Sequence, residues 1–203
     1  IVTVSIGIAI YPGDDRDLSR PLAKADSAMY EAKANGRNGF RMYSEASAGY
    51  NPARLSLESD LRQAVGRNEM SLVFQPQIDF ASGRIQGVEA LLRWQHPTRG
   101  AISPMEFIPV TEESGYIVQL GEWVMRRAFW QIGEWKAKGL PPIRVAINVS
   151  AVQFHQNNFT EVLADALTDF AVDPQLIELE LTESVLMHNV EGVLTRLKRI
   201  KAM

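Results

Sequence analysis

Three side chains with oxygen atoms, Glu89, Asn148 and Glu180, lie near the ends of three predicted strands. Successive side chains of a strand point to opposite faces, so each of the three shares a polar face that lies opposite an apolar one. Two carboxylates and an amide carbonyl are the hard oxygen ligands that Mg²⁺ or Mn²⁺ prefers. α/β sheets and β/α barrels place their sites at the carboxyl ends of the strands, and the sequence therefore predicts a divalent-cation site there.

The alternative is that each charged residue belongs to a separate ion pair. Arg93 follows Glu89 by four residues in QGVEALLRW and lies on the same predicted face, so these two residues could form such a pair. For any single residue the ion pair is the better interpretation. The three residues together, in register on three strand ends, favour the site.

Other chemistry has less support. The chain has no cysteine, which excludes disulfides, thiolate zinc sites and cysteine nucleophiles. His96, His155 and His188 show no metal-ligand spacing and are interpreted as structural or surface residues. Ser150 and Ser184 lack a nearby Gly-x-Ser-x-Gly turn, so serine hydrolysis is not indicated.

The composition argues against some classes of binding partner. The net charge of −3 over 203 residues argues against binding a nucleic-acid polymer or a membrane surface. No apolar run approaches the roughly 20 residues that cross a bilayer. We expect a cytoplasmic protein, anchored to a membrane only if a longer parent has other regions that do so.

The elements that must position these side chains alternate between strands and helices. MSLVFQPQIDF and IQGVEALLRW predict a hairpin. Ser103 is placed to cap a short helix, and a long amphipathic helix is predicted from Ile117 to Trp135, ending at Gly139. After it, the pattern predicts a strand at IRVAINVS, a helix over 158–170, a strand at LIELELT and a helix from Val190. This alternation of strands and helices predicts a parallel sheet.

The first residues are organised differently. IVTVSIGIAI predicts a buried strand with one apolar face and one face of small residues that another backbone or a ligand could approach. A helix and the short strand FRMYS follow. EASAGYNPAR has no periodicity and predicts a linker or a joining helix.

Several motifs taken together resemble the first half of the EAL domain, over about residues 55–203. They are FQPQID, GVEALLRWQHP, FIPVTEESG, AINVSAVQF and IELELTES. That family hydrolyses the bacterial second messenger cyclic di-GMP to the linear dinucleotide pGpG. The resemblance implies the α/β fold class, with the first half of an EAL-type β/α (TIM-like) barrel.

Upstream, VTVSIGIAIYP and KADSAMYEAKANGRNGF resemble the last third of a GGDEF (diguanylate cyclase) domain, over about residues 1–43. Together the two resemblances imply a tandem GGDEF–EAL protein. The implied organisation is part of a GGDEF domain over 1–44, a linker over 45–54 and part of an EAL domain over 55–203. Lys33 and Arg37 match residues that hold GTP phosphates, so GTP is an expected partner of an intact GGDEF domain.

Position by position, the EAL resemblance implies that Glu89, Asn148 and Glu180 are metal ligands and that Glu89 is catalytic. Gln75 and Arg93 match residues that contact the dinucleotide. A two-metal site with Mg²⁺ or Mn²⁺ is expected, with Ca²⁺ inhibitory because it would support binding without turnover. The resemblance also implies that Glu183 supports an active-site loop.

The chain also departs from the two patterns. The EAL aspartate pair of the DDFG type, the later lysine, glutamate and glutamine, and the GGDEF signature loop do not occur in the 203 residues. We therefore expect part of each domain, inactive alone. A homodimer is a separate expectation. The alternatives are a non-catalytic cyclic di-GMP receptor and a purely structural dimerisation module. Since every visible metal ligand is retained, the enzyme is favoured.

Overall fold

The computed structural model describes residues 4–11, 21–34, 38–44, 52–181, 185 and 190–203. The chain folds as two compact units, Ile1–Leu57 and Glu58–Met203. Most of the predicted linker, residues 45–51, lies outside the described residues. Within the described ranges, no helix is long and apolar enough to cross a membrane.

The described residues of the first unit include two parallel strands and the helix between them. They are β1 (Ser5–Ile8), α1 (Pro21–Ala34) and β2 (Gly39–Met42). Gly7 packs directly on the helix, because a Cβ there would lie 1.8 Å from the carbonyl oxygen of Ala25. The face of small residues thus receives another backbone, which was one of the two predicted uses.

The prediction that this strand is buried is wrong for its apolar face. Val4 is 61% exposed and Ile6 is 52% exposed. The physical reason is that α1 packs on the small-residue side, where Gly7 allows close approach. Among the described residues of this unit, helical packing thus reaches only one face of β1.

The second unit alternates strands and helices, as predicted. A helix that begins in the first unit, α2 (Pro52–Ala64), leads into it. The strands are β3 (Met70–Ile78), β4 (Ile85–His96), β5 (Gly100–Ile102), β6 (Arg144–Val149) and β7 (Ile177–Leu181). The other helices are α3 (Pro104–Glu113), α4 (Ile117–Ala137), α5 (Ala151–Phe154), α6 (Phe159–Asp169) and α7 (Val190–Lys201).

Local signals explain the helix boundaries. Ser103 caps α3 by accepting a hydrogen bond from the Met105 backbone nitrogen, as expected. After α4, Gly139 has a φ of 74°, a left-handed conformation that glycine adopts without strain. The sequence analysis did not predict the short elements β5 and α5.

The five strands of this unit form one sheet in the order β3-β4-β6-β7, with β5 paired to β4. The strands β3 and β4 form the predicted antiparallel hairpin. The pairs β4–β6 and β6–β7 are parallel, with helices in the connections, as the alternating pattern predicts.

The core lies between one face of the sheet and the helices. Val145, Ile147 and Val149 of β6 are buried against this layer. From α4, Met125 and Phe129 are fully buried in the same cluster. The opposite face of the sheet is therefore left to the polar side chains of the predicted site.

Candidate cation and dinucleotide site

Strand register aligns the predicted site residues across four strands. Asn148 on β6 pairs with Glu180 on β7, and Glu89 on β4 pairs with Ala146 on β6. On the other side of β4, Gln75 of β3 is directly opposite Glu89. Because Asn148 is two residues beyond Ala146 on β6, these side chains form a staggered polar row on one face of the sheet.

Asn148 and Glu89 are in direct contact. The Asn148 Nδ2 atom donates a hydrogen bond to Glu89 Oε1, with a length of 2.7 Å. This bond uses one amide hydrogen and one carboxylate oxygen, so the Asn148 carbonyl keeps its acceptor capacity. The two ligands predicted from different strands are therefore oriented by each other.

The environment of Glu180, which includes other negative charges of this row, changes its pKa. Its pKa is raised, first by burial and then by repulsion from Glu89 and Glu178. The polar side chain of Gln77 lowers the same pKa by a smaller amount. The two predicted carboxylate ligands therefore lie near enough for their charges to repel each other.

Arg144 modifies the charge at the amino-terminal end of the row. Its Nη1 atom lies 3.5 Å from Glu178 Oε2, and both side chains are about half exposed. This ion pair offsets part of the charge of Glu178, the residue nearest to Glu180 on the same face of β7.

Arg93 is not paired with Glu89 among the described residues. It is exposed, it lies opposite Ser71 in the hairpin, and its Nη1 atom donates to the Leu92 carbonyl over 2.9 Å. The two residues are four apart on β4, or about 13 Å along the strand. The suggested surface ion pair between them is therefore absent, and the guanidinium keeps further donors for a ligand.

Gln77 is a further polar residue on the site face of β3 that sequence reasoning did not single out. It follows Gln75 by two residues, so it lies on the same face of β3, and it is half-buried. The available signal was this alternation, Gln75 and Gln77 on one face of FQPQID. The family resemblance implies a role for Gln75, and none was assigned to Gln77.

Three predicted residues lie partly or wholly outside the described structure. Glu183 and Arg37 fall in undescribed stretches, and Lys33 belongs to α1 but its side chain is not described. Among the residues that the structure does describe, no three His, Asp or Glu side chains form a metal-binding group. The candidate set instead combines two carboxylates with one amide.

Comparison with known families assigns a family to each of two parts of the chain. The family model for the EAL domain matches residues 58–203. The chain belongs to the EAL domain family. The family model described as "Diguanylate cyclase, GGDEF domain" matches residues 1–39, so a GGDEF segment precedes the EAL segment, as predicted.

Two relatives illustrate the similarity. The "Bifunctional diguanylate cyclase/cyclic di-GMP phosphodiesterase MucR" of Pseudomonas aeruginosa is 39% identical over 202 residues, covering 100% of this chain and 30% of MucR. The "Cyclic di-GMP phosphodiesterase PdeR" of Escherichia coli is 36% identical over 199 residues, covering 98% of this chain and 30% of PdeR. The EAL chain thus spans less than a third of the length of these relatives.

Solved EAL structures have the same fold. The structure "PaMucR Phosphodiesterase, c-di-GMP complex" matches with a TM-score of 0.69 and 39% identity, covering 72% of this chain and 60% of that one. The structure "Structure of EAL Enzyme Bd1971 - cGMP bound form" matches with a TM-score of 0.67 and 28% identity, covering 74% of this chain and 42% of that one. These matches confirm the predicted fold class.

Proposed function

We propose that this EAL chain contributes the cation-binding and ligand-binding strand ends of a cyclic di-GMP phosphodiesterase, which hydrolyses the cyclic dinucleotide to pGpG. The observation that carries the proposal is the contact of Asn148 with Glu89. Beside them, the pKa of Glu180 is raised by burial and then by the charges of Glu89 and Glu178. The relatives named as cyclic di-GMP phosphodiesterases support the choice of substrate.

The side chains present fit Mg²⁺ or Mn²⁺. Glu89 and Glu180 supply negative charge, and Asn148 supplies a neutral carbonyl oxygen, so the donor set is entirely oxygen. Two repelling carboxylates are costly to bring together, and a divalent cation offsets that cost. When bound, such ions lower the pKa of a water molecule and polarise a phosphoryl oxygen.

The residues of this chain then have separate roles in metal binding and dinucleotide binding. Glu89, Asn148 and Glu180 hold the cation, and the hydrogen bond between the first two fixes their orientation before it binds. Gln75 lies beside Glu89 in the register and donates to the dinucleotide. Arg93 contributes a planar set of donors suited to a phosphate or a guanine edge.

Further parts of the proposal rest on the family resemblance. Glu183 supports an active-site loop, Lys33 and Arg37 hold GTP phosphates in an intact GGDEF domain, and the boundaries follow residues 1–44, 45–54 and 55–203. We also propose a cytoplasmic location and a homodimer. Ca²⁺ is proposed to support dinucleotide binding and to inhibit turnover.

The test uses the natural full-length protein that contains these residues. We expect release of pGpG from cyclic di-GMP in Mg²⁺ or Mn²⁺, measured by chromatography, and none after chelation with EDTA. Binding of cyclic di-GMP without hydrolysis in either metal would instead identify a receptor. Absence of binding would contradict both the substrate and the assignment of Gln75 and Arg93.

A further inference from the structure

The imidazole of His96 is buried at the carboxyl end of β4, where the residue is 6% exposed. Its Nδ1 atom accepts hydrogen bonds from the backbone nitrogens of Thr98, over 3.2 Å, and Arg99, over 3.1 Å. A ring nitrogen that accepts from N–H groups carries no hydrogen, so the hydrogen of the neutral imidazole is on Nε2. The turn after β4 therefore fixes the direction in which His96 can donate.

That donor faces a carboxylate on the helix α2. The His96 Nε2 atom lies 3.4 Å from Asp60 Oδ2, and Arg99 Nη2 lies 3.7 Å from the same oxygen. Asp60 and His96 both belong to the second unit. The carboxyl-terminal half of α2 is therefore in polar contact with the end of β4.

A second contact joins the same two stretches of the chain. Glu69 lies between α2 and β3, and its side chain is 8% exposed. Its Oε2 atom accepts a hydrogen bond of 3.0 Å from Trp94 Nε1, and its backbone oxygen accepts one of 2.9 Å from the Gln95 nitrogen. The last three residues of β4 are thus each in contact with the stretch 60–69, and they directly follow Arg93.

We propose that His96 and Asp60 are positioning residues for Arg93, because their contact holds the end of β4 against α2 and Arg93 extends from that strand end. The inference rests on the proposed function, since it requires Arg93 to contact the dinucleotide. Arg93 is exposed and lies on the face of β4 opposite to His96. A long side chain on a fixed strand end loses less conformational entropy on binding than one on a mobile strand end.

The polar character of this contact distinguishes it from packing that only stabilises the fold. Leu61 and Ala64 are at most 1% exposed, so α2 already has a buried apolar side. Replacing both partners of a buried polar contact by apolar groups of the same shape can be nearly neutral or stabilising, so stability alone does not require His96 and Asp60. A directional contact instead specifies one position of the helix relative to the end of β4.

The test measures two affinities of the natural full-length protein, for cyclic di-GMP in Ca²⁺ by calorimetry and for Mn²⁺ alone by electron paramagnetic resonance. His96→Asn keeps an acceptor near the position of Nδ1 and removes the donor to Asp60. Asp60→Leu removes the acceptor, whereas Asp60→Asn retains one and should bind like the unmodified protein. We expect His96→Asn and Asp60→Leu to leave Mn²⁺ affinity unchanged and to weaken dinucleotide binding by about five- to tenfold. This loss is smaller than the roughly 10- to 150-fold expected when the Arg93 contact is removed entirely.

A double-mutant cycle with Arg93→Ala separates positioning from general stability. If His96 acts through Arg93, His96→Asn should cause no further loss of dinucleotide affinity in the Arg93→Ala protein. Glu58→Leu is the matched control for Asp60→Leu, because Glu58 lies on the same helix and pairs with Arg62 of that helix over 2.9 Å. This control should bind both ligands like the unmodified protein.

The outcomes distinguish the inference from the proposed function. Weaker dinucleotide binding that is restored in Asp60→Asn and absent in the Arg93→Ala background supports the positioning role. Unchanged dinucleotide affinity in both His96→Asn and Asp60→Leu overturns that role while the function stands, and so does an equal loss of Mn²⁺ affinity. An unmodified protein that binds no cyclic di-GMP contradicts the proposed function itself, and with it the role of Arg93.

Discussion

The Asn148 amide occupies a central place among the site residues because it can act at two atoms. Its nitrogen donates to Glu89 over 2.7 Å, and its carbonyl oxygen is available to a cation. An aspartate at this position would add a third negative charge to the row, and it could not donate. An amide between two carboxylates therefore lowers repulsion while keeping an oxygen ligand.

Removing the charge of Glu89 should stop catalysis. In the natural full-length protein, we expect Glu89→Gln to lower kcat by about 10³-fold, because metal stabilisation of the transition state is worth several kcal/mol and about 1.4 kcal/mol corresponds to a factor of ten. Formation of pGpG in Mn²⁺ is the measurement. Glu106→Gln, at an exposed position of α3, is the control. Wild-type turnover in Glu89→Gln would disprove the metal assignment.

Removing Arg93 should affect the dinucleotide more than the metal. A hydrogen bond to a charged group is worth about 1.5–3 kcal/mol, so Arg93→Ala should weaken cyclic di-GMP binding by about 10- to 150-fold. Calorimetry in Ca²⁺ measures this without turnover. The exposed Arg84 offers the matched control, Arg84→Ala. Equal affinities for Arg93→Ala and the unmodified protein would show that the guanidinium does not contact the ligand.

Glu180 predicts a pH dependence of stability in the absence of metal. Burial, followed by the charges of Glu89 and Glu178, raises its pKa above the ordinary value of 4.5. The folded protein then binds this proton more tightly than the unfolded chain, so stability is lost as pH rises through the folded pKa. Glu180→Gln should therefore increase the free energy of unfolding at pH 7.

This difference should disappear below pH 4.5, where Glu180 is protonated in both states. Urea unfolding in EDTA at several pH values measures it, with Glu106→Gln as the control. Added Mn²⁺ should stabilise the unmodified protein more than Glu180→Gln. A Glu180→Gln protein that is less stable than the unmodified one at pH 7 would contradict the repulsion between the carboxylates.

At the scale of elements, the sequence predicted a helix or strand correctly wherever one periodicity continued for several residues. The hairpin of β3 and β4, the helix α4 and the strands β6 and β7 follow directly from alternating or helical patterns. The three-residue strand β5 and the four-residue helix α5 are too short for a period to be recognised. Their positions depend on pairing with β4 and on the Ser150 cap.

For the site, alternation could place Glu89, Asn148 and Glu180 on one face but could not provide the contacts between strands. Glu89 pairs with Ala146, and the hydrogen bond of Asn148 to Glu89 therefore forms between positions that differ by two residues in the register of β4 and β6. Distances between strands depend on the tertiary structure, whereas the local sequence predicts only the face of the strand on which a side chain lies.

The helix α4 provides a prediction with an internal control. Phe129 is fully buried against the sheet, whereas its neighbour Trp130 is 38% exposed and lies beneath the Arg127 guanidinium. Phe129→Ala should lower the free energy of unfolding by about 3–5 kcal/mol, because it leaves a cavity in the core. Trp130→Ala should cost less. Urea unfolding followed by circular dichroism measures both, and equal losses would contradict the assigned helix orientation.

At the scale of the whole molecule, the described part of the chain leaves β7 at the end of the strand order. A groove of about 540 Å³ lies beside this strand, between it and the helices α6 and α7. Its lining is largely apolar and includes Leu179, Leu181 and Leu197. An edge strand with an apolar groove is a template for pairing with another chain.

The number of carboxylates in the chain limits how many metal ions it can bind. After Glu183, the 203 residues include one further carboxylate, that of Glu191. Glu191 lies in the first turn of α7 and is exposed. The strand ends described above provide ligands for one cation, whereas the family resemblance implies two. Binding of a metal and hydrolysis should therefore be separable in this chain.

We accordingly expect the purified 203-residue chain to bind Mn²⁺, to release no pGpG from cyclic di-GMP, and to self-associate as its concentration rises. Light scattering measures the mass, and chromatography measures the product. Leu197→Lys places a charge in the groove and should reduce self-association, whereas Leu140→Lys, at an exposed position outside the groove lining, should not. A monodisperse monomer that releases pGpG in Mn²⁺ would refute both the exposed edge of β7 and the need for a second set of metal ligands.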